Sequence, residues 1–137
     1  MSTEHEDKLS ELPRGLETIL LVQDEEALRK LTVGVLVQLG YNVLSARTGD
    51  EALALAAQYA GTIDVVLTDV IMPGLNGRQV ADALRAVRPA VKVLYMSGYS
   101  DQVLAQRGCL APGIELLEKP FPKERLARRL RSVIQGK

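Results

Sequence analysis

Ile63-Asp64-Val65-Val66-Leu67-Thr68-Asp69, followed by Val70-Ile71-Met72-Pro73-Gly74-Leu75-Asn76-Gly77, is the stretch that decides the fold. Its short apolar run suits a strand buried on both faces, as in a parallel sheet. Pro73, Gly74 and Gly77 then force a loop. Asp69 therefore falls where a buried strand gives way to its loop. In open α/β sheets that rim is where ligands bind.

Working outward, the same alternation repeats. Thr18-Ile19-Leu20-Leu21-Val22-Gln23 reads as a strand ending at Asp24-Glu25-Glu26. A helix follows, with Leu28, Leu31, Val35 and Leu39 as its apolar stripe, acids in its first turn and Gly40 as its C′ residue. Gly34 inside it costs about 1 kcal/mol relative to Ala. Tyr41-Asn42-Val43-Leu44-Ser45-Ala46 is a second strand, and Thr48-Gly49-Asp50-Glu51 a capping box opening an Ala/Leu-rich helix to about Tyr59. Beyond the central stretch, Asn76 caps a helix with Gln79 at N3. Val80, Ala83, Leu84 and Val87 form its stripe, and Pro89 stops it.

Val91-Lys92-Val93-Leu94-Tyr95-Met96 is a fourth strand, ending at Ser97-Gly98-Tyr99. A short helix capped by Ser100 or Asp101 runs to about Arg107, and a loop follows to Gly113. Ile114-Glu115-Leu116-Leu117-Glu118 is a fifth strand, ending at Lys119-Pro120-Phe121. Pro122 suits N1 of a last helix with Leu126, Leu130, Val133 and Ile134 facing the core. Five strands alternating with five helices predict a flavodoxin-like, doubly wound parallel α/β sheet of order 2-1-3-4-5. Residues 1–16 are charged and aperiodic and read as a disordered tail or linker; 17–137 form one domain, with no second domain expected.

Lys+Arg and Asp+Glu are both 17, so the formal charge is zero and gives no general case for direct nucleic-acid or membrane binding. One cysteine, Cys109, excludes an intramolecular disulfide and suits a reducing compartment. No apolar run approaches the roughly 20 residues of a membrane helix, so a cytoplasmic protein is expected. His5 is a solvated tail histidine, and Met72 and Met96 are core filler. The last helix carries Lys123, Arg125, Arg128, Arg129 and Arg131, a solvated face or a docking surface.

All strands of a parallel sheet end on one side, so Asp24, Asp69, Ser97 and Lys119 should converge there. In the predicted order the first and third strands are neighbours, which brings Asp24 close to Asp69. Two carboxylates about 4 Å apart repel by roughly 4 kcal/mol at an effective dielectric near 20. A divalent cation relieves this, and all-oxygen ligation suits Mg²⁺. Lys119 and Ser97 arrive from the other side, placed to hold an oxyanion on Asp69. A carboxylate nucleophile, Mg²⁺ and a Lys opposite describe phosphoryl transfer to aspartate.

Four pieces now resemble a response-regulator receiver domain of two-component signalling. They are Ile19-Leu20-Leu21-Val22-Gln23-Asp24-Glu25, Leu67-Thr68-Asp69-Val70-Ile71-Met72-Pro73-Gly74, Val93-Leu94-Tyr95-Met96-Ser97-Gly98-Tyr99 and Leu117-Glu118-Lys119-Pro120-Phe121. The texture is similar to receivers attached to hybrid sensor histidine kinases. The resemblance implies Asp69 as phosphoacceptor from a sensor histidine kinase or histidine phosphotransfer domain. It implies Mg²⁺ held by Asp24, Asp69 and the Ile71 backbone carbonyl, Ser97 on the phosphoryl group, and Lys119 as its ion pair before a cis Pro120. It also implies a partner-binding face of the fourth helix, fifth strand and fifth helix, open to homodimer formation, and a signalling module that assists its own phosphorylation and dephosphorylation rather than an enzyme.

Three departures from that family stand out. Gln23 replaces a second acid, which should weaken Mg²⁺, although its amide oxygen can bond a metal-bound water. Leu116 replaces an aromatic switch residue. Ile71 and Tyr99, two residues after Asp69 and Ser97, suggest slow phosphate hydrolysis. Two alternatives remain: a pseudo-receiver with a silent site, or an aspartate-nucleophile phosphatase of haloacid-dehalogenase type, whose usual second acid is Ile71 here.

Overall fold

The computed structural model describes residues 12–98 and 115–136. The predicted helix after the fourth strand, the loop to Gly113, and Tyr99, Cys109 and His5 lie outside the described residues. Five strands, β1 Thr18–Val22, β2 Asn42–Ala46, β3 Val65–Asp69, β4 Lys92–Ser97 and β5 Leu116–Glu118, form one sheet of order β2-β1-β3-β4-β5. Every pair is parallel. Helices α1 Glu26–Gln38, α2 Gly49–Gln58, α3 Gly77–Val87 and α4 Lys123–Gln135 cover it.

The apolar runs follow from burial on both faces. Along β1, Leu20 and Val22 enter one core cluster with residues of α2 and α3, while Ile19 and Leu21 enter the other with α1 and α4. Along β3, Val66 faces the first cluster and Val65 and Leu67 the second. A strand packed by helices on both sides has no solvent face to give to polar residues. Met72 and Met96 are both buried.

The helix ends use the predicted chemistry, with two changes. Gly40 adopts φ 99°, and the N–H groups of Tyr41 and Gly40 donate to the carbonyls of Leu36 and Val37 at 3.1 and 3.0 Å, the paired bonds of a Schellman end. Asn76 and Gln79 form a full capping box, each side chain accepting at 2.9 Å from the other's N–H. Thr48 caps α2 through the Glu51 N–H at 3.1 Å, but the Glu51 carboxylate accepts from Arg47 N–H rather than from Thr48. Pro122 stands at the N-cap of α4, one residue before the predicted place.

Three expectations need correction. Leu31 is 64% exposed and Val87 73% exposed; the core-facing residues are Thr32, Val35 and Leu36 in α1 and Val80, Ala81 and Leu84 in α3. Thr32 can be buried because its hydroxyl donates to the Leu28 carbonyl at 2.8 Å, leaving no polar group unsatisfied. At the end of α3, Arg88 turns inward instead of Val87, donating to the carbonyls of Ala56, Tyr59 and Gly61. The third concerns the tail boundary. Leu12 is 7% exposed within the α1/α4 core cluster, Gly15 N–H donates to Leu39 O at 3.1 Å, and Arg14 reaches the Gln38 carbonyl. Residues 12–16 therefore belong to the packed domain, held to the C-terminal end of α1.

Gly34 is exposed, and a Cβ there would meet nothing. Gly34→Ala should stabilise the fold by about 0.4–1 kcal/mol by restricting the unfolded chain. Thermal unfolding should show a rise of about 2–4 °C; a fall would mean the open face has an unrecognised packing role.

Candidate functional site

Asp69 ends β3 with only 4% of its surface exposed. Its backbone is held on several sides. Val70 N–H donates to Met96 O at 3.0 Å, and Gly77 N–H reaches back to Val70 O at 2.8 Å. Thr68 Oγ1 donates to the Asp69 carbonyl at 3.0 Å. Gly77 stacks so close to Asp69 that a Cβ there would strike the Asp69 carbonyl oxygen. The loop from Val70 to Asn76 is thus folded back onto the end of the strand it follows, and the acid cannot drift.

Lys119 follows β5, and its Nζ lies 2.6 Å from Asp69 Oδ1. No donor meets that oxygen at hydrogen-bonding angles, so the approach is a close ion pair rather than an aligned bond. The Lys119–Pro120 peptide is cis, as the resemblance implied. Ser97 ends β4, the strand beside β3, and is 5% exposed; Lys119 N–H donates to its carbonyl at 2.6 Å. Asp24 is exposed just beyond β1, and its charge acts on Asp69. The four strand-end groups thus share one rim.

Burial pushes the Asp69 carboxyl above its usual range. The Lys119 ammonium and the Gln23 amide oppose that rise, and the Asp24 carboxylate adds to it. The last effect is the repulsion that a hard dication between two carboxylates would relieve, so the donor set suits Mg²⁺ with water completing it. Among the described residues no group of three or more His, Cys, Asp or Glu that could hold a metal ion is gathered. Ile71 lies two residues past Asp69, 47% exposed at the mouth.

Gln23 sits differently from expectation. In the β1–β3 register Val22 pairs Thr68, so the next step sets Gln23 beside Asp69. Gln23 is 1% exposed. Its Oε1 accepts from Glu25 N–H at 3.0 Å, so the oxygen expected to bond a metal-bound water is already engaged. The nitrogen end is buried near the Asp69 carboxylate, whose charged form it favours, but makes no hydrogen bond at acceptable angles among the described residues.

Leu116 is half-buried against the α2/α3 core cluster, an aliphatic side chain with no ring to turn between two positions. Two of the five basic residues on α4 have structural partners: Arg129 pairs with Glu115 at 2.9 Å and Arg131 with Glu17 at 2.8 Å. An apolar cavity of about 290 Å³ adjoins Lys119, lined by Leu28, Leu31, Val35, Pro120, Phe121 and Leu126. Helical spacing assigned Leu31 to the core; its exposure beside this cavity could not be read from period alone. Among the described residues no helix is long and apolar enough to cross a membrane.

The model of the response regulator receiver domain matches residues 19–131. A sensor kinase CckA of Brucella abortus is 34% identical over 121 residues, covering 88% of this chain and 13% of that protein. A probable transcriptional regulatory protein TcrX of Mycobacterium tuberculosis is 32% identical over 118 residues, 86% of this chain and 50% of that one. The chain thus spans half or less of these curated relatives. Among solved structures, the receiver domain of a hybrid histidine kinase CckA superposes with a TM-score of 0.72 at 36% identity, over 86% of this chain and 99% of that one. The Vibrio cholerae chemotaxis protein CheY4 superposes with a TM-score of 0.76 at 29% identity, over 87% and 99%.

Proposed function

The chain belongs to the response regulator receiver domain family of two-component systems, and on that premise we propose that Asp69 accepts a phosphoryl group from a phosphohistidine with Mg²⁺ as the partner ion. The donor is the phosphohistidine of a sensor kinase or a histidine phosphotransfer domain. An Asp69 carboxylate oxygen forms an O–P bond as the P–N bond breaks, and the imidazole leaves with that electron pair. Mg²⁺, when bound by Asp24, Asp69 and the Ile71 carbonyl, supplies charge neutralisation. Lys119 favours the ionised acid and takes a phosphoryl oxygen. Ser97 takes another, carrying the change toward β5 and α4. That face then favours one partner over another, since added charge must select between two arrangements.

The observation that carries this reading is the 2.6 Å approach of Lys119 Nζ to a nearly buried Asp69 at the C-terminal rim. Such a pair serves positioning and electrostatics, which is what phosphoryl transfer asks of a protein. The test is NMR of the ¹⁵N-labelled chain with Mg²⁺ and beryllofluoride, a phosphoryl mimic. Backbone signals of Asp69, Ser97 and Lys119 should shift in the natural chain and stay in place in Asp69→Asn. An unmoved spectrum in the natural chain would defeat the reading.

Gln23→Glu restores the family's second acid. It should tighten Mg²⁺ by about tenfold, near 1.4 kcal/mol, in a titration followed by NMR or calorimetry. Unchanged affinity would place Gln23 outside the field of the metal.

A further inference from the structure

The Gln23 side chain has a fixed direction. A backbone N–H can only donate, so the Gln23 atom that meets Glu25 N–H at 3.0 Å must be the amide oxygen. The NH₂ end is then committed to the other side. Gln23 follows Val22, which pairs with Thr68, and the side chain is 1% exposed, so the buried donor lies against the strand end that carries Asp69. Nε2 makes no hydrogen bond at acceptable angles among the described residues, and neither does Asp69 Oδ1, yet the amide lies close enough to the Asp69 carboxylate to favour its charged form. A buried amide donor without a well-aligned acceptor costs stability and needs an explanation. An oxyanion added at Asp69 would provide one.

We propose that Gln23 is a specificity-determining donor of the phosphoacceptor site: its Nε2–H grips an oxygen of the group that Asp69 carries. This rests on the phosphoacceptor reading and deepens it. Where a second acid would hold metal and repel the phosphoryl oxygens, a neutral amide attracts them. The site then binds its anion partly through the protein, with fewer fixed negative charges around it. The same amide oxygen keeps its bond to Glu25, so the donor is held ready at the start of α1 without rearrangement.

The probe is beryllofluoride with saturating Mg²⁺, added to the natural chain and to Gln23→Met, which matches the length of Gln and has no donor. In the natural chain the Gln23 side-chain NH₂ signals should shift on binding and exchange more slowly with water. Gln23→Met should bind the probe about tenfold or more weakly, the size of a lost hydrogen bond to a charged group. A role confined to supporting α1 would instead lower the melting temperature and leave affinity unchanged. NH₂ signals that stay put while the backbone of Asp69, Ser97 and Lys119 shifts would overturn the inference and leave the phosphoacceptor reading standing. No backbone shift in the natural chain would overturn both. The NH₂ signals decide the matter in the natural chain even if Gln23→Met fails to fold.

Discussion

Asp69→Asn should abolish phosphoryl acceptance and, at neutral pH, make the fold more stable. The first effect follows from chemistry: an amide oxygen is a poor nucleophile, and loss of the attacking group should cost at least about 1000-fold. Incubation with a phosphohistidine donor and mass measurement of the intact chain would show it. The second effect follows from burial. The folded-state pKa of Asp69 is raised above its unfolded value, chiefly by desolvation, with Lys119 only partly compensating. The folded state therefore holds the proton more tightly than the unfolded chain does. Stability falls as pH rises from the ordinary carboxylate value through the raised one, and the whole penalty is present above it. Asn carries no such penalty, and Lys119, with 26% of its side chain exposed, can turn its charge to water. The gain in melting temperature should grow as pH rises above the ordinary carboxylate range and should vanish below it. An equal gain at both ends would mean that ionisation of this acid is not its source. Under the proposed function, Asp69 is thus a place where function costs stability.

Gly77→Ala should be strongly damaging. Its Cβ would collide with the Asp69 carbonyl oxygen and press on the Asp69 carbonyl carbon and Thr68 Cγ2 at 3.1 and 3.2 Å. The first obstacle is backbone, which cannot swing aside as a side-chain tip can. Overpacking of this kind costs about 3 kcal/mol, or a fall of about 10 °C in melting temperature. Relief requires the Val70–Gly77 turn to open, which would displace Asp69 as well. A folded Gly77→Ala chain should therefore respond weakly to beryllofluoride. Natural stability with a natural response would show that the close approach is not needed. Gly34→Ala is the internal contrast: the same methyl on an open helix face, with the opposite sign.

Most of the candidate site is legible in the sequence. Each strand is a short apolar run closed by a polar residue, and parallel pairing sends all those ends to one rim. That logic names Asp24, Asp69, Ser97 and Lys119 without knowledge of any contact. What it names wrongly shares a cause. Leu31 and Thr32 are adjacent, and an apolar stripe is wide enough to admit either; the choice fell to Thr32 because its hydroxyl can be satisfied within its own helix turn. Val87 fits the period of α3 but lost the inward place to Arg88, whose guanidinium found three carbonyls at the end of α2 and in the turn after it. Residues 12–16 lack any period, yet Leu12 is core.

The sequence by itself determined the elements, their order, the full cap at Asn76, the glycine end of α1 and the four groups at the rim. These depend on neighbours within a few residues, or on the rule that parallel strands finish together. Only the tertiary structure decided that the Gln23 amide nitrogen is buried beside Asp69, that Gly77 rests on the Asp69 carbonyl, and which face of α1 meets the sheet. Those are set by atoms brought together from different strands, loops and helices, and no local period or spacing carries that information.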